Sequence, residues 1–522
     1  MVRRIGYGMF WVILLVACAP QPLPIILSPT PVFFTAIPSV PTVISIPIPT
    51  PSPTPTLTPI PDPLAAHAQA LIPSARNDLL LLSDLPRYDI EIEIAWNEGV
   101  LWGRQSITYT NRSPDSLAEL WLMLYPNSVR FGAEMKVSEL KADGEPVKVA
   151  LDGLPTALRV PLPEPLPPGR VVTLEVDFAV LVPHDEVNTD RVLVYAHDTF
   201  VLGDWYPVLA VYDHTGWNIS FPPTHIGEQV FSETAFYDVR VTLPADAVVI
   251  ASGVQVGTTD NENGTKTVTL VSGPVREFML VAGRNFDLQV RQVHESTVRA
   301  YAWSEHAACS ARILDVACEA LQSFGDLWGT YPYLELDLIE IQAWSWGVEW
   351  PGVVLVGSPL YGESDCGEWH VIHEVAHQWW YALVGNDQVD EPWLDEALAN
   401  YATLFFYRLA RDPALAEAKI RQRIYDRYAG YLSRHSDRPV AGPTSSFDQE
   451  SYYPIVYAKG AIAYEALQSR IGEAALHAGL REYAARYRYD IATPEGLLAA
   501  LEEASGESLT DWYAEWITGK HQ

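Results

Sequence analysis

The spacing of apolar residues changes once along this chain, and that change limits what it can fold into. From about Arg87 to about Asp287 the period is two. Ile90, Ile92, Ile94 and Trp96 alternate with Glu91, Glu93 and Ala95. Val172, Leu174, Val176 and Phe178 alternate with Thr173, Glu175 and Asp177, and Tyr237, Val239, Val241 and Leu243 with Asp238, Arg240 and Thr242. Side chains of a strand point to opposite faces in turn, so these are strands with one face on a core. Polar clusters such as Asn111-Arg112-Ser113-Pro114-Asp115 and Asp260-Asn261-Glu262-Asn263-Gly264 lie between them and supply turns. No long helical pattern intervenes, so an antiparallel sandwich or saddle is expected. Around Ala307 the period turns helical: Ile313, Leu314, Ala317, Leu321 and Phe324 share one face. A strand-like stretch, Leu334 to Gln342, follows, and then helices, one of which opens with the cap Thr493-Pro494-Glu495. The expected fold class is therefore multidomain α+β, with a β domain over 76–288 and a mainly helical domain over 289–522.

The residues ahead of the strands cannot build a core. Arg3 and Arg4 precede an apolar run, Met9 to Val16, that is short for a membrane span. The run ends in Leu15-Val16-Ala17-Cys18, which resembles the bacterial lipobox. That resemblance implies a signal peptide over 1–18 and a lipid on Cys18, which becomes the mature N-terminus. Fifteen prolines then fall between Pro20 and Pro63, and no Lys or Arg occurs from Ile5 to Ala75. Proline at this density favours extended polyproline II, so 19–75 is expected to be a disordered tether, on the order of 100 Å long when extended. The chain is expected to sit in the bacterial cell envelope, on a membrane through its lipid, with the folded domains outside the cytoplasm. Its 65 acidic residues outnumber 34 basic ones, which argues against nucleic acid as a partner. Cys309, Cys318 and Cys366 remain, an odd number that permits at most one bridge. Cys309 and Cys318 fall on opposite sides of a helical segment and are expected to be small buried hydrophobes.

The chemistry concentrates in His373-Glu374-Val375-Ala376-His377, an H-E-x-x-H pattern. On a helix His373 and His377 share a face, so both imidazoles reach one metal ion. Glu374 points to a neighbouring face, where it holds a water beside the metal. A catalytic zinc site needs a third protein ligand and an open position. Glu396, nineteen positions after His377, is the candidate. His370 is expected to flank the site rather than close it as a fourth ligand. Asp395 stands either behind the ligands or on the surface. Asp204 to Val208 is expected near the cleft, and His184, His197, His214 and His225 read as structural or surface residues.

These residues resemble the gluzincin metallopeptidases related to aminopeptidase N and leukotriene hydrolases. The family pattern, H-E-x-x-H followed by Glu after eighteen residues, is met by His373, Glu374, His377 and Glu396. Gly347-Val348-Glu349-Trp350-Pro351 resembles the family's G-x-M-E-N segment, with Val348 for Met and Trp350 for Asn. The resemblance implies that Glu349 binds the free amine of a substrate. Val456-Tyr457-Ala458-Lys459-Gly460-Ala461 resembles the segment that carries the oxyanion-stabilising tyrosine, which would be Tyr457, and Tyr452 matches a second tyrosine of some members. Gly347, Glu349 and Tyr452 are thus the expected substrate-binding residues. The resemblance further implies a saddle-shaped β domain ahead of a thermolysin-like catalytic domain, one Zn²⁺ per chain, and a peptide substrate. The family's long C-terminal helical domain has no counterpart after Tyr457, and its glutamine-bearing segment in the first domain is not recognisable. The expected function is a zinc metallopeptidase removing N-terminal residues, with Glu374 as general base. Endopeptidase or other hydrolase specificity on the same centre, or a non-catalytic surface binding protein, are the alternatives.

Overall fold

A computed structural model describes residues 64–148, 154–186, 191–220, 226–343 and 346–519. The signal segment, Cys18, the tether as far as residue 63 and His225 lie outside the described residues. Contacts between Cα atoms place everything from Leu57 to Gln522 in one compact unit.

The expectation of a disordered stretch over 19–75 fails for residues 64–75, which are folded. Leu64, Ala70, Leu71, Ile72 and Ala75 are buried. The dense prolines end at Pro63, and apolar side chains then recur often enough to seat on a core. The backbone is tied down as well: Ile72 N–H donates to the Pro332 carbonyl at 2.9 Å, and Leu334 N–H donates to the Ala70 carbonyl at 2.9 Å.

The first half is a large sheet with smaller sheets against it. Its strand order is Val254–Asp260, Thr265–Val271, Phe236–Pro244, Arg87–Ala95, Val100–Thr110, Val171–Leu181, Glu134–Ala142, Glu145–Pro146. The apolar phases read from sequence are the buried ones: Ile90, Val176 and Val239 are fully covered. One pairing departs from an antiparallel layout. Arg87–Ala95 runs parallel to Phe236–Pro244, with Tyr88 opposite Tyr237. A four-stranded sheet (Val248–Ala251, Leu280–Gly283, Thr199–Leu202, Leu193–Ala196) and a three-stranded one (Val208–Leu209, Leu117–Met123, Ala157–Leu166) complete this half.

The second half starts at Asp287, two residues before the expected boundary. Asp287–Val293 pairs with Ser296–Ala302 and so belongs to a five-stranded sheet with Glu335–Ile341, Val353–Gly357 and the edge strand Gly347–Trp350. Helix α1 (Ala307–Trp328) packs on it. Then come α2 (Glu368–Ala376), α3 (Trp393–Ala410), α4 (Pro413–Ile420) and α5 (Asp426–Leu432), and later α6 (Gly460–Ile471). Two of the three π-helical stretches among the described residues bear on the site: Arg421–Tyr425 between α4 and α5, and Tyr453–Lys459 leading into α6. They pack against each other. Such turns insert a residue into the helix and rotate side chains out of their α-helical directions.

Two devices lock the site's supports. A Cys309–Cys366 disulfide joins the start of α1 to the residue two before α2, so the expectation of unbridged cysteines fails for Cys309. Its partner lies 57 positions away, and sequence periodicity carries no information over that span. Cys318 is free. Arg276, buried to 2% exposure, stitches the two halves: it donates to the carbonyls of Ser232 at 3.1 Å, Tyr381 at 3.1 Å and Asp490 at 2.9 Å.

Candidate metal centre and active site

Helix α2 brings His373 and His377 onto one face and α3 meets them with Glu396. His373 Nε2 lies 3.1 Å from His377 Nε2 and 3.1 Å from Glu396 Oε2, and His377 Nε2 lies 3.3 Å from the same oxygen. Tetrahedral ligands about 2.05 Å from a common centre stand about 3.3 Å apart, which is the spacing of a zinc coordination shell. All three side chains are buried. The ring of His377 donates through Nδ1 to the Trp380 carbonyl at 2.9 Å. A carbonyl only accepts, so this bond fixes the tautomer and leaves Nε2 with its lone pair toward the centre. Two imidazoles and one carboxylate therefore fit zinc.

Electrostatics favour the ligating form of Glu396 and His373 and oppose it at His377. Burial works to raise Glu396, but hydrogen bonds with His373 and His377 overcome it and hold its carboxyl down to about 2. Burial lowers His373, with Glu396 opposing. Burial also disfavours charge on His377, but Glu349 and Glu396 outweigh it and raise that imidazole well above its ordinary value.

Beside the triad lies a cavity of 490 Å³, within the range of small-ligand sites. Glu374 lines it, and one of its oxygens, Oε2, is buried with no hydrogen-bond partner. Burial pushes this carboxyl up to about 8. Gly347 makes room for it. A Cβ at Gly347 would stand 2.6 Å from Glu374 Cγ and 2.7 Å from its Oε1. Glu349, two residues on along the edge strand, also lines the cavity. Burial raises it well above the carboxylate range, with Glu228 and Glu374 adding to the effect and His377 opposing it. Gln378 ties this strand to the metal helix: its Oε1 accepts from Gly352 N–H at 2.9 Å and its Nε2 donates to the Trp350 carbonyl at 3.1 Å.

Tyr457, on the second π-turn, donates to Glu396 Oε1 and stacks on His373 at 5.6 Å. Burial, and then the Glu396 charge, raise its phenol well above 10, so it keeps its proton as a donor.

The family model described as "Peptidase family M1 domain" matches residues 362–516. The chain carries an M1 peptidase domain. Aminopeptidase M1 of Arabidopsis thaliana is 27% identical over 306 residues, 55% of this chain and 34% of that protein. Aminopeptidase 2 of Candida albicans is 22% identical over 447 residues, 82% of this chain and 46% of that one. The chain thus spans about a third of the length of the plant relative, 34%. Among solved structures, an M1 zinc metallopeptidase of Deinococcus radiodurans superposes with a TM-score of 0.61 at 22% identity, covering 84% of this chain and 95% of that chain. A variant of it bound to a Tyr-Ser-Ala substrate gives 0.60 at 22% identity, with the same coverage of 84% and 95%. These likenesses establish the multidomain α+β fold, with the β-rich part ahead of the helical one.

Around the triad the remaining expectations divide. His370 lines the cavity and accepts from Arg423 at 3.2 Å, outside the triad. Asp395 is buried, which removes the surface alternative: it takes a 2.7 Å hydrogen bond from Gln388 and a 2.8 Å bond from Glu396 N–H, steadying the third ligand. Tyr452 does not line the cavity. It is fully buried behind Tyr457, its hydroxyl against Gly227, and the next residue, Tyr453, lines the cavity instead. Asp204, Trp205 and Tyr206 are buried in the β half; Asp204 lies in the field of Glu228 but none of the three lines the cavity.

Three lining residues went unrecognised in the β half. Gly227 and Glu228 reach the cavity on a loop, with Arg130 donating to the Gly227 carbonyl and standing 3.5 Å from the Glu228 carboxylate. Gly227 has a φ of 67° and faces Tyr452 so closely that a Cβ would sit 2.5 Å from its hydroxyl, which only glycine satisfies. The sequence signal was faint: a Gly-Glu pair in a stretch without periodicity.

Proposed function

We propose that this chain is a zinc-dependent aminopeptidase of the bacterial cell envelope. One observation carries the catalytic reading. A triad with zinc spacing borders a cavity lined by Glu374, one of whose carboxyl oxygens has no hydrogen-bond partner, and by two further acids, Glu349 and Glu228. The chemistry supplied there when zinc is bound is Lewis acidity, which polarises a carbonyl and acidifies a water toward neutrality. The chain's own groups do the rest. Glu374 takes the proton from the attacking water and returns it to the leaving nitrogen. A cation held in the triad favours its ionised form. Tyr457 donates to the carbonyl oxygen as negative charge develops there. Glu349, with Glu228 beside it, receives the substrate ammonium, whose charge favours the ionised form of Glu349, and that acidic end favours free N-termini over internal bonds. The tripeptide held by the Deinococcus radiodurans variant supports a peptide substrate.

Export is supported separately. The Cys309–Cys366 disulfide suits an oxidising compartment, and Arg3, Arg4, the Met9–Val16 run and Leu15-Val16-Ala17-Cys18 form a lipoprotein-type leader. On this reading Cys18 carries a lipid, and the Pro-rich segment holds the folded unit clear of a membrane.

The test is hydrolysis of aminoacyl-fluorophore substrates by the purified protein, with and without chelator, beside the same peptides N-acetylated. Glu374→Gln should retain zinc and lose turnover. Equal cleavage of acetylated and free peptides would remove the amine anchor. Full activity of Glu374→Gln would remove the mechanism. Cys18→Ser should abolish labelling by a fatty-acid probe, and unchanged labelling would refute the anchor.

A further inference from the structure

The cavity is strongly polarised, and its positive end has no function yet. Arg423 and Arg427 both line it. Arg423 lies in a π-turn and Arg427 near the start of α5, and both side chains border the same cavity. Among the described residues the one hydrogen-bond partner of the pair is uncharged: His370, at 3.2 Å from Arg423. Among the described residues no carboxylate pairs with either guanidinium. This is unexpected in a chain with 65 acids and 34 bases. Nearby acids are engaged elsewhere: Asp426 with Arg421 at 3.6 Å, and Asp437 with Lys459 at 2.8 Å. Two guanidiniums facing a cavity without a counter-ion are a receptor for a planar anion.

The spacing indicates which anion. Arg423 sits at His370, one turn before His373 on α2. Glu349 sits at the other end, with His377 as its strongest charged neighbour. Seven helical residues from His370 to His377 span about 10 Å. An extended peptide advances about 3.5 Å per residue, so a chain of two or three residues bridges that distance.

We propose that Arg423 and Arg427 form a carboxylate subsite that receives the α-carboxylate of a di- or tripeptide whose α-amine rests on Glu349. The proposal rests on the aminopeptidase reading for the ligand being a peptide. It goes further by making the preferred substrate a short peptide with both termini free.

Binding decides it independently of turnover. Zinc-loaded Glu374→Gln protein is titrated calorimetrically with Ala-Ala-Ala and with its C-terminal amide. The acid should bind about tenfold to a hundredfold more tightly, the range of a charge-assisted hydrogen bond. Adding Arg423→Gln and Arg427→Gln should bring the ratio toward one, while Arg423→Lys and Arg427→Lys should keep part of it. A third ligand, Ala-Ala-Glu amide, separates the sources. If it binds like the acid and loses that advantage in the Gln variants, the subsite takes an acidic side chain. Equal binding of acid, amide and Glu-containing amide by the starting protein overturns the subsite. So does an acid preference that survives both Gln substitutions in protein whose unfolding midpoint is unchanged. Failure of hydrolysis in the wild type, with the binding ratio intact, would count against the catalytic reading alone.

Discussion

Gly347→Ala isolates the placement of Glu374 from everything else in the site. The new Cβ would stand 2.6 Å from Glu374 Cγ, 2.7 Å from Oε1 and 2.9 Å from Cδ. Non-bonded carbon atoms rest at about 3.5–4.0 Å, so the carboxyl group must recede by about 1 Å. It has somewhere to go, because Glu374 borders the cavity. The relief therefore costs little stability, less than about 1 kcal/mol. Catalysis is another matter: a misplacement of about 1 Å in a reacting group costs on the order of 10²-fold. The metal triad does not touch Gly347, so zinc content should stay at the wild-type level. The assay is kcat/KM on an aminoacyl-coumarin substrate with zinc measured on the same sample, repeated in a Glu374→Gln background. If the effect runs through Glu374, Gly347→Ala adds almost nothing there, since groups acting as a unit are not additive. Activity within about threefold of wild type at full zinc occupancy, or an equal loss in both backgrounds, would refute the reasoning.

Three further outcomes are expected. Tyr457→Phe should lower kcat by about 10²–10³ with little change in KM, because the hydroxyl acts on charge that develops in the transition state; a loss confined to KM would place Tyr457 in ground-state binding instead. Zinc affinity should fall on acidification, about tenfold per pH unit below the raised pKa of His377, since the proton must leave before Nε2 ligates. Glu349 contributes most to raising that pKa, so Glu349→Gln should flatten the pH dependence seen in chelator competition; an unchanged slope would show that Glu349 does not hold that proton. Cys309→Ser should destabilise the oxidised protein by about 2–4 kcal/mol, as expected for opening a loop closed over 57 positions, and denaturant midpoints that match with and without reductant would show that the bridge contributes nothing.

What could be read from the sequence was whatever repeats locally or lies on one helix. His373 and His377 announce themselves because four residues of helix put them on one face, and Glu396 follows because its helix begins at Trp393 with no choice of register. The strands were legible because the phase of Ile90, Val176 and Val239 is the phase of burial. Tyr452 was placed by resemblance and not by period, and the structure seats it behind Tyr457 while Tyr453 lines the cavity. Arg423 and Arg427 were hidden where the helical period fails, in and just after a π-turn. Glu228 and the Cys309–Cys366 pair were hidden for another reason: their partners are distant in the chain, and no period links them.

That division bears on how the site evolves its selectivity. The ligands and Glu374 stand on α-helices, where one wrong residue misaligns the metal. The groups at the two ends of the cavity stand on a loop, an edge strand and an irregular helical turn, none of which supports the triad directly. Glu228 can change without disturbing α2, and Arg423 can change without disturbing α3. The cavity's charge pattern is therefore set by elements separable from the chemistry. Substituting Arg423 and Arg427 should accordingly alter which peptides bind while the zinc content stays constant. A loss of zinc in those variants would show that the two layers are not separate.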